Sequence, residues 1–592
     1  MAAFELPVWR DPNQRAERLS GWLCGRYADF LPFLPALLLV PLLAIGLRDR
    51  PQRSRWRLKT NEILRNQPGD SVGVAWMMGA VVFFTTLLAS RWVGNQFAGL
   101  PPAYHDEYSY VFQAETYLAG RWSFPSFEPR PELFDQMHVL NEGRFASRYF
   151  PGVGAWIAPF LYWGDPWLGH QLAQALTALL AFWIGRELSC AGVGLLAGLL
   201  VAVSPGLLLF SNLLLAHHPT LVGLFLFLFC FLKWQRTSSV FLLTAAGVGL
   251  SYAMLCRPMT AAGFGLPFGV LFFARQFQAI RKASVRDAVV HVLALGTPIF
   301  AGLCIAAYAN AQITGSPWLS PYQLYTDTYT PRHVYGFNNR IRGEQNLGPK
   351  VLKNYDDWAE NLTPSLAARN AASRMENSFR WTLGIIPLSL GLLVFVLSPG
   401  HGDSRWWQLL FATISLHLVH IPYWFTGIMG WHYVFESAPL LILLFAESTR
   451  RLMADDRTPT GRTMAWTPIL LLAVAVPSNL WTVSPLWPGR LPQGMAEIRF
   501  PREKYAVFHD RVDQLRDGTP AMVFVIPDQA DRHIDYVVNS PDLSADVLIG
   551  RAKSPDAAED AAALFPDRIA WRFDAHTGEF KRITKNPPAR SQ

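Results

Sequence analysis

Apolar residues run in long unbroken blocks along this chain, with short polar connections between them. FLPFLPALLLVPLLAIGL from Phe30 to Leu47 and LVGLFLFLFCFL from Leu221 to Leu232 are typical. Blocks of about 17–25 residues match helices that cross a bilayer's hydrocarbon core, whereas barrel strands would alternate apolar and polar positions. The pattern predicts spans near 30–47, 71–93, 167–186, 190–214, 217–233, 239–256, 258–275, 288–310, 381–398, 406–425, 430–447 and 464–482. Pro32, Pro35 and Pro41 make the first segment broken or re-entrant, or add a crossing, so about 12 or 13 helices are expected. No repeat of fixed period is evident, which disfavours transporters built from two similar halves.

Beyond about residue 484 the pattern changes. Charged residues become frequent, AMVFVI (Ala521–Ile526) and DVLIG (Asp546–Gly550) have strand length, and SPDAAEDAAALF (Ser554–Phe565) has the spacing of a short helix. The expected organisation is an all-α polytopic membrane protein with a small α/β domain at its C-terminus. Residues 1–70 form an N-terminal segment with the first span and a basic loop, 71–483 the transmembrane domain, and 484–592 the α/β domain.

Composition agrees and adds sidedness. Of 592 residues, 51% are hydrophobic and 16% charged, against roughly 25% charged in soluble proteins. That excludes a string of soluble domains and a secreted enzyme with one cleaved signal. The net charge of +8 reflects loop arginines rather than a nucleic-acid partner, because Lys and Arg collect in short cytoplasmic loops. The loop from Arg48 to Arg65 is strongly basic and is assigned to the cytoplasm. Alternating from there puts Arg186, then Lys233 and Arg236, then Arg275, Arg281, Lys282 and Arg286, then Arg405, then Arg450, Arg451, Arg457 and Arg462 on the same side. Three polar segments, 94–150, 311–380 and the tail, fall on the opposite, outer face. Arg10, Arg15, Arg18 and Arg26 fit only if the first segment does not span once. Cys24, Cys190, Cys230, Cys256 and Cys304 lack the spacing of a zinc site or disulfide framework and read as small buried hydrophobes.

Ionisable residues gather on the expected outer face. His105, Asp106 and Glu107 follow the second span, ahead of Tyr108, Val111, Phe112 and Leu118 on one helical face, which suggests an amphipathic helix lying on the membrane surface. Asp106 also reads as an N-cap and Glu107 as an ordinary first-turn acid. Arg148 and Tyr149 precede a Pro-Gly break, in a motif that serves equally as an interfacial turn. His217 and His218 sit before Pro219, Arg257 before Pro258, and His432, Tyr433 and Glu436 open an apolar helix. Each alone has a structural alternative, whether a bonded interfacial histidine, a snorkelling arginine or a helix-to-helix salt bridge. Ionisable groups within a membrane nonetheless tend to mark function, and together these supply a carboxylate base and cations suited to phosphate. The second outer segment is rich in Pro, Tyr, Asn and Gly and suits either carbohydrate binding or a packed loop.

HDEYSYVFQAETYLAGR, SRYFPGVGAW, CRPMTA, TGSPWLSPYQLY and HYVFESAPLL resemble the GT-C glycosyltransferases, specifically bacterial membrane proteins of the protein-mannosyltransferase and aminoarabinose-transferase type (glycosyltransferase family 39-like), over roughly residues 70–450. The resemblance implies transfer of a sugar from a polyprenyl-phosphate donor, with inversion, to a glycolipid, glycan or protein acceptor outside a bacterial inner membrane. It implies Asp106 as the catalytic carboxylate with Glu107 beside it, and Arg257 as a donor-phosphate ligand assisted by His217, His218 and Arg148. His105, Tyr149, His432, Tyr433 and Glu436 would line the pocket, although His432 stands where the family often has an arginine. No cofactor is required by these residues. The family includes members with and without a divalent ion, and Asp106 and Glu107 alone are too few ligands to call for one. The rival class is a multi-helix transporter or lipid flippase, which would place its charges near the bilayer midplane.

Overall fold

The computed structural model describes residues 72–584 apart from 282–283, 345–352, 399–402, 455–465, 484–488 and 532, together with residues 33, 37–39 and 42. The N-terminal arginines, Cys24, the loop 48–65, Lys282, Arg457, Arg462 and nearly all of the first predicted span lie outside them. The chain is mostly helical, with several apolar helices and a small C-terminal sheet domain.

The helices follow the apolar blocks. They are α1 (Val72–Asn95), then α2 (His105–Leu118) and α3 (Pro151–Tyr162) in the first polar segment, then α4 (Pro166–Leu188), α5 (Ala191–Ala202), α6 (Pro205–Phe210), α7 (His217–Thr237), α8 (Val240–Cys256), α9 (Pro258–Arg281) and α10 (Val285–Thr314). After α11 (Pro321–Tyr329) and α12 (Pro364–Thr382) come α13 (Ile385–Leu397), α14 (Trp406–Val419), α15 (Ala438–Ala454) and α16 (Thr467–Leu480). By length and composition, α1, α7 and α10 are long and apolar enough to cross a membrane, and α12 with α13 would qualify as a pair but for a 103° bend. α1 and α10 expose large apolar side chains such as Phe84, Leu88, Leu293 and Phe300. α7 is buried among its neighbours and meets α8 closely, since a Cβ on Gly223 would stand 2.6 Å from the Gly249 carbonyl oxygen.

Three expectations need correction. The single span 190–214 is two helices, because Pro205 lacks the N–H a continuous helix would use and instead starts α6. The span 430–447 begins as a 3-10 turn, His432–Ser437, before α15. Cys304 is exposed on α10, whereas Cys190, Cys230 and Cys256 are buried as expected.

In the first polar segment, α2 packs on a three-stranded antiparallel sheet of β1 (Phe124–Pro125), β2 (Val139–Asn141) and β3 (Arg144–Ser147), ordered β1-β3-β2. α2 is covered on more than one face. Tyr108, Ser109, Phe112, Gln113 and Thr116 are all buried, which exceeds the single apolar stripe that the sequence pattern implies. The additional cover comes from the tail. There α17 (Arg490–Arg516) leads into a four-stranded sheet of β4 (Ala521–Ile526), β5 (Val547–Arg551), β6 (Ile569–Asp574) and β7 (Glu579–Arg582), ordered β5-β4-β6-β7, with α18 (Pro555–Ala562) after β5. The predicted strands and helix of the tail are therefore all present. Phe112, Leu133, Phe134 and Phe145 share one core with Met522, Phe524, Leu548 and Ala561, which joins the tail to the first polar segment.

At one end of the bundle the basic residues that charge alternation groups together do meet. Arg236 and Arg405 reach Glu187 at 3.0 and 3.3 Å, Arg405 also donates to the Leu232 carbonyl, and Arg275 donates to the Gln235 carbonyl. The opposite ends of α7 and α9, with the first polar segment, surround a cavity.

Candidate functional site

The cavity has a volume of about 430 Å³ and is lined by Asp106, Arg148, Tyr149, His217, Arg257, His432 and Tyr433 among others. Seven side chains expected from the sequence are thus brought together. His105, Glu107, His218 and Glu436 are not in its lining.

Asp106 owes its orientation to its neighbours. The N-cap of α2 is Tyr104, in extended conformation, and not Asp106. Glu107, fully buried, accepts from the backbone N–H groups of Ala103 at 2.8 Å and Tyr104 at 3.2 Å through Oε1, and of Leu214 at 2.8 Å through Oε2. Arg502 stands 3.7 Å from the same Oε2. Burial pushes the Glu107 carboxyl up, opposed by Arg502 and these N–H groups. Glu107 is thereby committed to the protein, and Asp106 is left to face the cavity near the positive end of α2. The Tyr149 hydroxyl donates to Asp106 Oδ1, and its ring stacks on Tyr110 at 4.3 Å. Asp106 Oδ2 lies 3.9 Å from His138 Nε2. His138 adopts a left-handed backbone with φ of 63°, held by the Tyr325 hydroxyl on its N–H and by Ser109 and the Arg148 N–H on its carbonyl. Burial, and then Arg148, hold its imidazole well below the usual histidine range, so it is neutral.

Arg148 is buried with its guanidinium carbon 4.6 Å from the Tyr322 ring centre, 4.8 Å from Tyr325 and 5.1 Å from Tyr149. Among the described residues no carboxylate pairs with it, and its Nε has no hydrogen-bond partner. Arg257 differs. It ends α8, and its Nη1 donates to Glu436 Oε1 at 2.7 Å and to the His432 carbonyl at 3.2 Å while touching His217 Nδ1. His217 in turn meets Glu436 Oε1 at 3.0 Å and His432 Nδ1 at 3.2 Å. One wall is therefore a neutralised hydrogen-bonded cluster, and the other carries an unneutralised cation.

No family model matches this sequence, and no curated protein matches it. Among solved structures, ArnT from Cupriavidus metallidurans in the apo state is similar at a TM-score of 0.45 and 12% identity, covering 86% of this chain and 94% of that one. The apo oligosaccharyltransferase of Archaeoglobus fulgidus is similar at a TM-score of 0.42 and 14% identity, covering 75% of this chain and 58% of that one. The same enzyme in complex with Zn and sulfate gives a TM-score of 0.40 at 13% identity, covering 67% of this chain and 53% of that one. This chain thus spans little more than half the length of the oligosaccharyltransferase.

The cavity includes residues that the sequence did not single out. Tyr322, Gln323 and Thr326 come from α11, within the aromatic second polar segment already expected to bind carbohydrate or pack. His333 and Tyr335 belong to the same segment, whereas His420 and Tyr423 had no such signal and both fell inside the predicted span 406–425. Arg374, buried on α12, donates to the carbonyls of His420, Tyr423 and Phe425 and so fixes the turn after α14. His420 Nδ1 faces the Leu416 carbonyl at 2.9 Å, which can only accept, so that nitrogen carries the proton and Nε2 is an acceptor. His218 bonds the Leu207 carbonyl, and His105 bonds the His533 backbone. Among the described residues no group of three or more His, Cys, Asp or Glu could hold a metal ion.

Proposed function

We propose that the protein is an integral-membrane glycosyltransferase acting at the periplasmic face of a bacterial inner membrane. It takes a sugar from a polyprenyl-phosphate donor and transfers it, with inversion, to a hydroxyl or phosphate of a glycolipid, glycan or protein. The observation that carries this reading is one cavity holding both a carboxylate with a free oxygen, Asp106, and a buried arginine without a carboxylate partner, Arg148. A buried unpaired cation is costly, and an anion that enters the cavity relieves the cost. The family resemblance of the surrounding motifs supports the choice of a phosphate-bearing donor.

The chemistry follows from those two groups. With Oδ1 receiving the Tyr149 hydroxyl, Oδ2 takes the proton of the acceptor hydroxyl as its oxygen attacks the anomeric carbon. The bond from that carbon to the phosphate oxygen breaks, and the lipid phosphate leaves with the electron pair. Arg148 stabilises the departing charge. Arg257 is a weaker phosphate ligand because Glu436 already neutralises it. Tyrosine rings around the cavity offer flat apolar faces for a sugar.

The test is turnover of radiolabelled polyprenyl-phosphate sugars by the purified protein with membrane acceptors. Transfer from the lipid donor that Asp106→Asn abolishes is expected. Turnover that survives this substitution, or that uses nucleotide sugars but not lipid donors, overturns the reading.

A further inference from the structure

We infer that Glu107 and Arg502 are positioning residues through which the C-terminal domain holds Asp106 in register with the rest of the cavity; the inference rests on the catalytic reading of Asp106. Glu107 would ordinarily be a helix-capping acid, serving only the first turn of α2. Here its second oxygen reaches the Leu214 N–H, in the turn just before His217. One carboxylate therefore ties the start of α2, which carries Asp106, to the start of α7, which carries His217. Both of those neighbours line the cavity, and Glu107 does not.

The tail closes this tie. Arg502, on α17, is 2% exposed, donates to the Asn212 carbonyl at 2.7 Å and stands 3.7 Å from Glu107 Oε2, with Phe97 across its guanidinium. Arg499, one turn earlier, donates to the Gln96 carbonyl. On the other side of α2 the same domain grips the segment leading into β2. Arg551 donates to the Asp135 carbonyl at 3.1 Å, and the Asn539 N–H donates to Gln136 Oε1 at 3.1 Å, two residues before the His138 that faces Asp106. The helix bearing Asp106 is thus held from both sides by residues distant in sequence. A base displaced by about 1 Å loses roughly 100-fold in rate, so such a clamp acts on turnover without touching substrate.

The test uses full-length protein carrying Arg502→Lys, Arg502→Met, Glu107→Asp or Glu107→Gln. Arg502→Met and Glu107→Gln are expected to lower kcat about 10-fold to 100-fold with KM for the lipid donor within about 3-fold, and Arg502→Lys to restore part of the loss. The double variant Glu107→Gln, Arg502→Met is expected to cost little more than either single change, since both break one unit. A wild-type kcat in folded Arg502→Met and Glu107→Gln proteins, or additive losses, overturns the inference. A second readout does not need sugar transfer. In an Asp106→Cys background, the rate of maleimide labelling at position 106, relative to the denatured protein, is expected to change when Arg502→Met is added. An unchanged rate overturns the positioning role, whereas absent turnover in the wild type overturns only the catalytic reading.

Discussion

The two ends of the helical bundle use arginine in opposite ways. At one end Arg236 and Arg405 share Glu187, and Arg450 and Arg451 share Glu447, with leftover donors meeting backbone carbonyls such as Leu232, Phe395 and Ser398. At the other end Arg148 is enclosed by tyrosine rings with no carboxylate partner among the described residues. Cation–π contact supplies about 0.5–2 kcal/mol, far less than the cost of burying a lone charge. An arginine that satisfies itself within the protein holds structure together, and under the proposed function one that does not is the donor-phosphate ligand. Arg257 stands between these cases, at the cavity yet already paired.

The comparison breaks most sharply by substitution at Asp106 and Arg148. Asp106→Asn is expected to lower kcat by about 1,000-fold or more, and Arg148→Met by about 100-fold to 1,000-fold, in radiolabel transfer assays with thermal stability nearly unchanged. Arg405→Met at the opposite end should do the reverse. It leaves kcat within about 3-fold and lowers the melting temperature, because Glu187 and the Leu232 carbonyl lose a donor. An Arg148→Met protein that transfers normally but melts early would make the two ends alike.

Arg257 gives the next contrast. Its removal strands Glu436, which is fully buried, so Arg257→Met is expected to cost about 3–5 kcal/mol of stability, measured by thermal or denaturant unfolding. Adding Glu436→Gln should recover much of that. If stability returns and transfer returns with it, Arg257 is structural, and the phosphate is left to Arg148. If stability returns and transfer does not, both arginines serve the donor.

Much of this difference was legible in the sequence, for identifiable reasons. The apolar helices and the strands AMVFVI and DVLIG follow from unbroken apolar runs, whose length alone separates bundle from tail. Charge alternation grouped Arg236, Arg275 and Arg405 correctly because loop arginines obey a one-dimensional rule. Asp106, Arg148, His217, Arg257 and His432 could be singled out as rare ionisable groups at helix ends. Which of them is paired could not, because Glu436 is 179 residues from Arg257 and Arg502 lies far along the chain from Glu107. The same lack made α2 look like a helix with a single buried stripe. Its second buried face is covered by Met522 and Phe524, and no local pattern announces so distant a partner. His420 and Tyr423 were hidden because the turn after α14 is set by Arg374, not by its own residues.

The smallest expected effect concerns Glu115, on α2 where it faces the tail. Burial, and then the nearby Asp542, push its carboxyl from the usual value of 4.5 up to about 7. Among the described residues no cation pairs with it, unlike Glu187 and Glu447 at the arginine end. With a folded value above the unfolded one, the stabilising contribution of the protonated group is complete below about pH 4.5 and is lost as pH rises through about 7. Between those limits the docking of the tail on α2 weakens as Glu115 ionises against Asp542. Glu115→Gln keeps the side chain neutral throughout, so its melting temperature should equal the wild type near pH 5 and exceed it near pH 8 by an amount worth about 1 kcal/mol. A parallel pair of pH curves would mean that Glu115 finds a cation or water in solution, and that an acid at this end is as well satisfied as Glu187 is at the other.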